Sequence, residues 1–225
     1  MAKLYFRYGT MGSAKSLNLL AVAHNYRSQN KEVLLLKPAL DDRFGRELIK
    51  SRAGLSQEAD YLVEKKTRLK APLLTGISCI LVDEAQFLDP GFVDHLHEIA
   101  RDKDVPVICY GLRTDFQRKL FPGSMRLMEL ADSIEEVKNT CHYCNKKAIF
   151  NLRTRGNHAV LDGPQIELGS EDKYLPVCSP CYEKRIQEAK KLQNAKIAKG
   201  DLPNEPNGKC SSGKSSTKNE VESKI

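Results

Sequence analysis

The eight residues Gly9-Thr10-Met11-Gly12-Ser13-Ala14-Lys15-Ser16 constrain the fold more than any other feature, because they join an apolar, aromatic run (Leu4, Tyr5, Phe6, Tyr8) directly to a helical pattern. The order Gly, four residues, then Gly-Lys-Ser/Thr ends a strand in a turn whose successive N–H groups converge. The following helix adds the positive end of its dipole. In such a loop Lys15 reaches outer phosphates and the Ser16 hydroxyl sits on Mg²⁺. Ala14 stands where the second glycine of the pattern belongs. A positive backbone angle there costs a non-glycine residue on the order of 1 kcal/mol, unless Gly12 takes up the strain. Taken alone, the segment also reads as a strand-to-helix turn with an exposed lysine.

A second segment, Ile77-Ser-Cys-Ile-Leu-Val-Asp-Glu-Ala-Gln-Phe87, strengthens the phosphate reading. An apolar, β-branched run that stops at two carboxylates fits a central parallel strand whose carboxyl end opens into a site. Asp83 can hold Mg²⁺ through a water, while Glu84, one residue on and pointing elsewhere, can take a proton. An isolated Asp-Glu is often only a solvated loop start; beside a phosphate loop that explanation loses its force.

At 225 residues the chain accommodates one α/β domain and a small appendage. The net charge of +7 suggests nucleic acid until its distribution is examined. Glu183 to Ile225 holds ten Lys/Arg and six Asp/Glu, so the tail carries +4 and the rest of the chain +3. No run of basic residues interleaved with aromatics marks a nucleic-acid groove. No stretch approaches the roughly 18 apolar residues of a membrane span, so no membrane is expected and the cytoplasm is the expected compartment.

Of the seven cysteines, Cys79 and Cys109 lie in apolar strand runs, and Cys210 sits in the polar tail. The others form two pairs, Cys141-His-Tyr-Cys144 and Cys178-Ser-Pro-Cys181. Paired Cys-x-x-Cys turns can present four thiolates tetrahedrally to Zn²⁺, which would make the site structural and closed to water. Two unrelated cysteine pairs or a redox dithiol are the alternatives. The long interval between the pairs must hold a hairpin or an excursion, and His142 is read as a bystander.

Strands are expected at Lys3 to Tyr8, Glu32 to Lys37, Ile77 onward, Val105 to Tyr110 and Ser133 to Lys138. Helices are expected from Ser16 to about Ser28, from about Gly91 to Lys103 and from Gly123 to Ala131. In the first helix Leu17, Leu20, Ala21 and His24 mark the apolar face. Asp89-Pro90 opens the second. Strands alternating with helices imply a doubly wound parallel sheet. The strand content between Gly45 and Lys70 is left open. Past Lys190 the composition turns to Lys, Ser, Asn and Gly, and disorder is expected from about Asn194.

The phosphate loop, the Asp-Glu-Ala-Gln-Phe block, Tyr110-Gly-Leu-Arg-Thr-Asp-Phe116 and the four cysteines around Glu171-Asp-Lys-Tyr174 occur in one order. That set resembles the zinc-containing thymidine kinases, a family with cytosolic vertebrate and many bacterial members. The resemblance covers roughly Ala2 to Lys184. It implies a P-loop NTPase-like α/β fold with a small zinc-binding lasso domain. The expected division is a nucleotide-binding domain over 1–138, a zinc-binding domain with a substrate-closing loop over 139–184, and a helix end and tail over 185–225.

The activity implied is transfer of the ATP γ-phosphoryl group to the 5′-hydroxyl of thymidine, a salvage step toward DNA synthesis. Gly9, Thr10, Met11, Gly12, Ser13, Ala14, Lys15, Ser16, Asp83, Glu84, Ala85 and Gln86 would bind ATP and Mg²⁺. Glu84 would accept the proton of the 5′-hydroxyl, and Arg43 would neutralise charge on the transferring group. Met11, Phe87, Leu112, Phe116, Phe121 and Tyr174 would wall the thymine pocket. Cys141, Cys144, Cys178 and Cys181 would hold structural zinc, pinning both ends of the lasso. The family further implies a cytoplasmic homotetramer and leaves room for feedback by dTTP. The fourth metal position is Cys181, where many bacterial relatives have His. The competing reading is a nucleic-acid-binding zinc ribbon on a nucleotide switch, but Asp162, Glu167, Glu171 and Asp172 in the intervening loop would repel phosphates.

Overall fold

The structure is a computed structural model that describes residues 1–41, 45–165 and 173–198. The chain divides into two compact units, Met1–Lys190 and Lys191–Ile225. Among the described residues no helix is long and apolar enough to cross a membrane.

The first unit is built on six parallel strands. In chain order they are β1 (Leu4–Tyr8), β2 (Glu32–Pro38), β5 (Tyr61–Val63), β6 (Ile77–Val82), β7 (Val107–Gly111) and β8 (Ser133–Glu136). Their spatial order is β5-β2-β6-β7-β1-β8. Between β2 and β5 a short antiparallel hairpin, β3 (Leu48–Lys50) and β4 (Ser56–Glu58), occupies the stretch whose strand content the sequence left open.

Alternation along each strand sorts the apolar side chains onto two faces. Leu4, Phe6, Leu34, Leu36, Ile80, Val82, Val107 and Cys109 face helices α2 (Pro90–Lys103) and α3 (Pro122–Leu130), through Phe92, Val93, Leu96 and Leu127. Val33, Leu35, Cys79, Leu81, Ile108 and Tyr110 face helix α1 (Lys15–Arg27), through Leu19, Leu20 and Ala23. The sheet is thus covered on both sides, as a parallel sheet must be. Asp89 caps α2 by accepting from the Gly91 N–H at 2.9 Å, with Pro90 in the first turn.

The buried face of α1 is not the expected one: Ala21 and His24 are exposed, and Leu19 and Ala23 are buried instead. Lys15, Leu19 and Ala23 recur at a spacing of four residues, so they share one stripe. Lys15 must turn back into the loop that precedes it, and this fixes the rotation of the whole helix.

Past β8, a second, antiparallel sheet forms in the order β10-β9-β11, from β9 (Phe150–Arg155), β10 (His158–Ala159) and β11 (Lys173–Val177). This is the hairpin that the long interval between the cysteine pairs required. Its small core is Cys141, Leu152, Val177, Cys178 and Tyr182. Helix α4 (Ser179–Ala198) follows, and its helical run continues past Asn194, where disorder was expected. The remainder of the tail, with Cys210, lies outside the described residues.

Candidate active site

The loop at the end of β1 carries the backbone angles its sequence demands. Gly12 has φ +76° and Ala14 has φ +64°, so the strain anticipated at Ala14 is present. A Cβ on Gly9 would lie 2.4 Å from Ser13 Oγ and 2.5 Å from the Val137 carbonyl oxygen, which reserves that position for glycine. Replacing Ala14 with Gly relieves a left-handed alanine but adds flexibility to the unfolded chain. The net expected gain is about 0.5–1 kcal/mol, or roughly 1–3 °C in melting temperature by calorimetry.

Lys15 is buried, and its Nζ donates to the Thr10 carbonyl at 2.8 Å and to the Gly9 carbonyl at 3.3 Å. Two asparagines that no sequence motif flagged hold the loop from outside. Asn151 Oδ1 accepts from the Met11 N–H at 2.8 Å, and Asn139 Nδ2 donates to the Met11 carbonyl at 3.2 Å. Asn151 belongs to β9, so the second sheet touches the loop directly.

Strand β7 lies between β1 and β6, yet the two motifs meet. Ser16 Oγ donates to Asp83, at 2.9 Å from Oδ2 and 3.1 Å from Oδ1. Asp83 is 4% exposed. Burial pushes its carboxyl up to about 7, the neighbouring Glu84 charge adds to the rise, and the Ser16 hydrogen bond opposes it. A desolvated carboxylate with a hydroxyl beside it is a donor set that suits a hard divalent cation such as Mg²⁺.

Glu84 adopts φ +49°, a left-handed angle that a non-glycine residue holds only where its surroundings fix it. Its Oε2 accepts from Gln86 Nε2. Gln86 is fully buried and also accepts, through Oε1, from the Leu112 N–H at 2.9 Å. Helix α3 can press on this turn because Gly123 has no side chain: a Cβ there would stand 2.7 Å from the carbonyl oxygens of Ala85 and Leu88.

A cavity of about 360 Å³ opens beside the loop and is walled by Met11 to Leu17, Lys50 to Ala53, Glu84 and Leu112. Of the expected pocket residues, Met11 and Leu112 line it together with Glu84. Phe87 and Phe121 pack edge to face at 5.7 Å, and Phe116 lies under the Arg153 guanidinium at 5.1 Å. Tyr174 sits on β11 in register with Arg153. Arg43 lies outside the described residues.

The four thiols of Cys141, Cys144, Cys178 and Cys181 lie within 4.8 Å of one another. Cys144 Sγ is 3.6 Å from Cys178 Sγ and 3.8 Å from Cys181 Sγ. Four sulfurs at ~2.3 Å from a tetrahedral Zn²⁺ stand about 3.8 Å apart, so the cluster has the dimensions of a closed zinc site. The hydrogen bond that the Cys181 thiol donates to Cys178, then desolvation and the other thiols, push Cys181 up to about 12; a divalent cation supplies the charge that lets all four ionise. His142 is outside the cluster and packs edge to face on Tyr143 at 4.9 Å.

Fold and site together define a P-loop-like α/β protein, with its phosphate loop and acidic strand end meeting at the carboxyl edge of a parallel sheet. Comparison with known proteins narrows the class. The family described as thymidine kinase matches residues 2–182, and the chain belongs to that family. It is 45% identical to the thymidine kinase of Chromobacterium violaceum over 183 residues, covering 81% of this chain and 98% of the relative. It is 43% identical to that of Streptococcus gordonii over 191 residues, covering 82% and 97%. Among solved structures, Pif1 helicase from Candida albicans is similar at a TM-score of 0.38 and 14% identity, over 61% of this chain and 36% of that one, too slight a likeness to carry any argument.

Proposed function

We propose that this protein transfers the γ-phosphoryl group of ATP to the 5′-hydroxyl of thymidine, forming dTMP for DNA synthesis. The observation that carries this reading is the meeting of Ser16 and Asp83 beside Glu84 at the mouth of the loop cavity, in a chain of the thymidine kinase family. The backbone N–H groups of Gly9 to Ser16 and the α1 dipole hold the phosphates, and Lys15 exchanges its loop carbonyls for their oxygens. Ser16 and Asp83 hold Mg²⁺, which when bound neutralises charge on the outer phosphates. Glu84 accepts the proton of the 5′-hydroxyl as it attacks. Arg43 adds positive charge to the transferring group. Met11, Phe87, Leu112, Phe116, Phe121 and Tyr174 wall the base.

Labour divides along the chain: residues 1–138 bind ATP, 139–184 close over the nucleoside with zinc on the four cysteines as their fastening, and 185–225 lie beyond the catalytic parts. We further propose a cytoplasmic homotetramer, open to feedback by dTTP.

The test is phosphate transfer from ATP and Mg²⁺ to thymidine, with deoxycytidine and deoxyadenosine in parallel. Formation of thymidine monophosphate alone supports the reading. A folded protein that phosphorylates no nucleoside defeats it. Asp83→Asn should weaken Mg²⁺ binding in the ATP complex by about 10–100-fold, read by Mg²⁺ titration at fixed ATP.

A further inference from the structure

One cation faces the phosphate site from an element to which no task has been assigned. Arg52 stands in the turn of the β3–β4 hairpin, two residues past β3. Its Nη1 is 3.6 Å from the point a Cβ on Gly12 would occupy, and it lines the cavity together with Gly12, Ser13, Lys15 and Glu84. Among the described residues no carboxylate is paired with it. Gly12 has no side chain to screen the guanidinium from the inside of the loop.

The hairpin that carries Arg52 is held firmly. Lys37, at the carboxyl end of β2 and 1% exposed, donates to the carbonyls of Gly45 at 3.0 Å and Leu48 at 2.9 Å, with Asp41 at 3.5 Å. Ile49 is buried in the same core cluster as Leu19, Leu20 and Leu81. Ser51 closes the turn: its N–H donates to the Leu55 carbonyl at 2.8 Å, and its Oγ accepts from the Leu55 N–H at 3.1 Å. Arg52, the next residue, is exposed on a fixed base, so a contact made through its guanidinium costs side-chain rotamer entropy but little backbone ordering.

A planar guanidinium aimed at a phosphate loop has the geometry for paired hydrogen bonds to phosphate oxygens. Resting on the ATP-dependent reading above, we infer that Arg52 is a second cationic contact to the outer phosphates of ATP. It reaches them from the hairpin on the Gly12 side, while Lys15 reaches them from within the loop. Phosphate recognition is then shared between the loop and an insertion that the loop motif does not announce.

The experiment measures equilibrium binding of ATP, ADP and AMP, by competition, to the wild-type chain and to Arg52→Ala and Arg52→Lys, with thymidine binding and thermal melting as controls. Arg52→Ala should lower ATP affinity by about tenfold or more, leave AMP and thymidine affinities within about twofold of wild type, and leave the melting temperature within about 2 °C of it. Arg52→Lys should restore part of the loss. ATP affinity unchanged in Arg52→Ala overturns the inference, as does an equal loss for ATP, ADP and AMP, which would assign the hairpin a role in shape alone. Binding is read without turnover, so a wild-type chain that binds ATP but phosphorylates no nucleoside defeats the kinase reading while the Arg52 comparison still decides its own question.

Discussion

Glu84→Gln should bind ATP and thymidine as the wild type does and transfer phosphate about 10²–10⁴-fold more slowly, the usual range for loss of a positioned general base. The substitution keeps volume and shape. Gln86 Nε2, which donates to Glu84 Oε2, finds an amide oxygen in its place, so the left-handed turn at residue 84 keeps its lock. What disappears is affinity for a proton. The division of labour between adjacent carboxylates makes the test specific. Asp83 is buried against Ser16, whereas Glu84 is half-exposed at the cavity wall. Single-turnover rates together with calorimetric binding of both substrates separate the roles. Turnover within about threefold of wild type would remove Glu84 as the base, and a parallel loss of ATP binding would move it to the metal.

The features legible in the sequence are those whose chemistry fixes residue type and spacing together. A phosphate loop needs glycines, lysine and a hydroxyl in order. A buried strand must end where its carboxylates begin, and a closed thiolate site needs two Cys-x-x-Cys turns. The left-handed angle at Ala14 was legible for the same reason, because the loop imposes it whatever residue stands there. What escaped was set by tertiary contact. The α1 face depends on where Lys15 points, not on hydrophobic periodicity: Leu19 and Leu20 are adjacent, and either of two stripes satisfies the pattern. Strands of three residues such as Ser56–Glu58 carry no alternation to read. Lys37, Arg52, Asn139 and Asn151 are single polar residues in the sequence. Each matters only through the backbone or side chain that the fold brings to it, as Met11 is brought to Asn151.

Loss of the four-cysteine site should harm thymidine binding far more than ATP binding. The sheet formed by β9, β10 and β11 rests on a core of five buried residues, two of which, Cys141 and Cys178, belong to the thiol cluster. A core that small does not hold without a fastening, and structural zinc contributes about 10–16 kcal/mol in small zinc-finger peptides. The contacts from this sheet and the start of α4 lead mainly to the proposed base pocket. Tyr182 Oη donates to the Phe116 carbonyl at 2.6 Å, Arg153 covers the Phe116 ring, and Tyr174 sits in register beside Arg153. Fewer lead to the phosphate loop: Asn151 accepts from the Met11 N–H, and Asn139, two residues before Cys141, donates to the Met11 carbonyl and to Thr10 Oγ1. Cys141→Ser should therefore lower zinc content below about one ion per chain and melt this region ahead of the parallel sheet. It should weaken thymidine binding by roughly a hundredfold, the scale of losing two or three buried contacts of about 1 kcal/mol each. ATP binding should fall by less than about tenfold, since the parallel sheet that carries the loop has its own two-sided core. Metal analysis, hydrogen exchange and calorimetry with each substrate make the comparison. Equal losses for the two substrates would mean that the thiol cluster supports the whole fold and not the nucleoside side of the site.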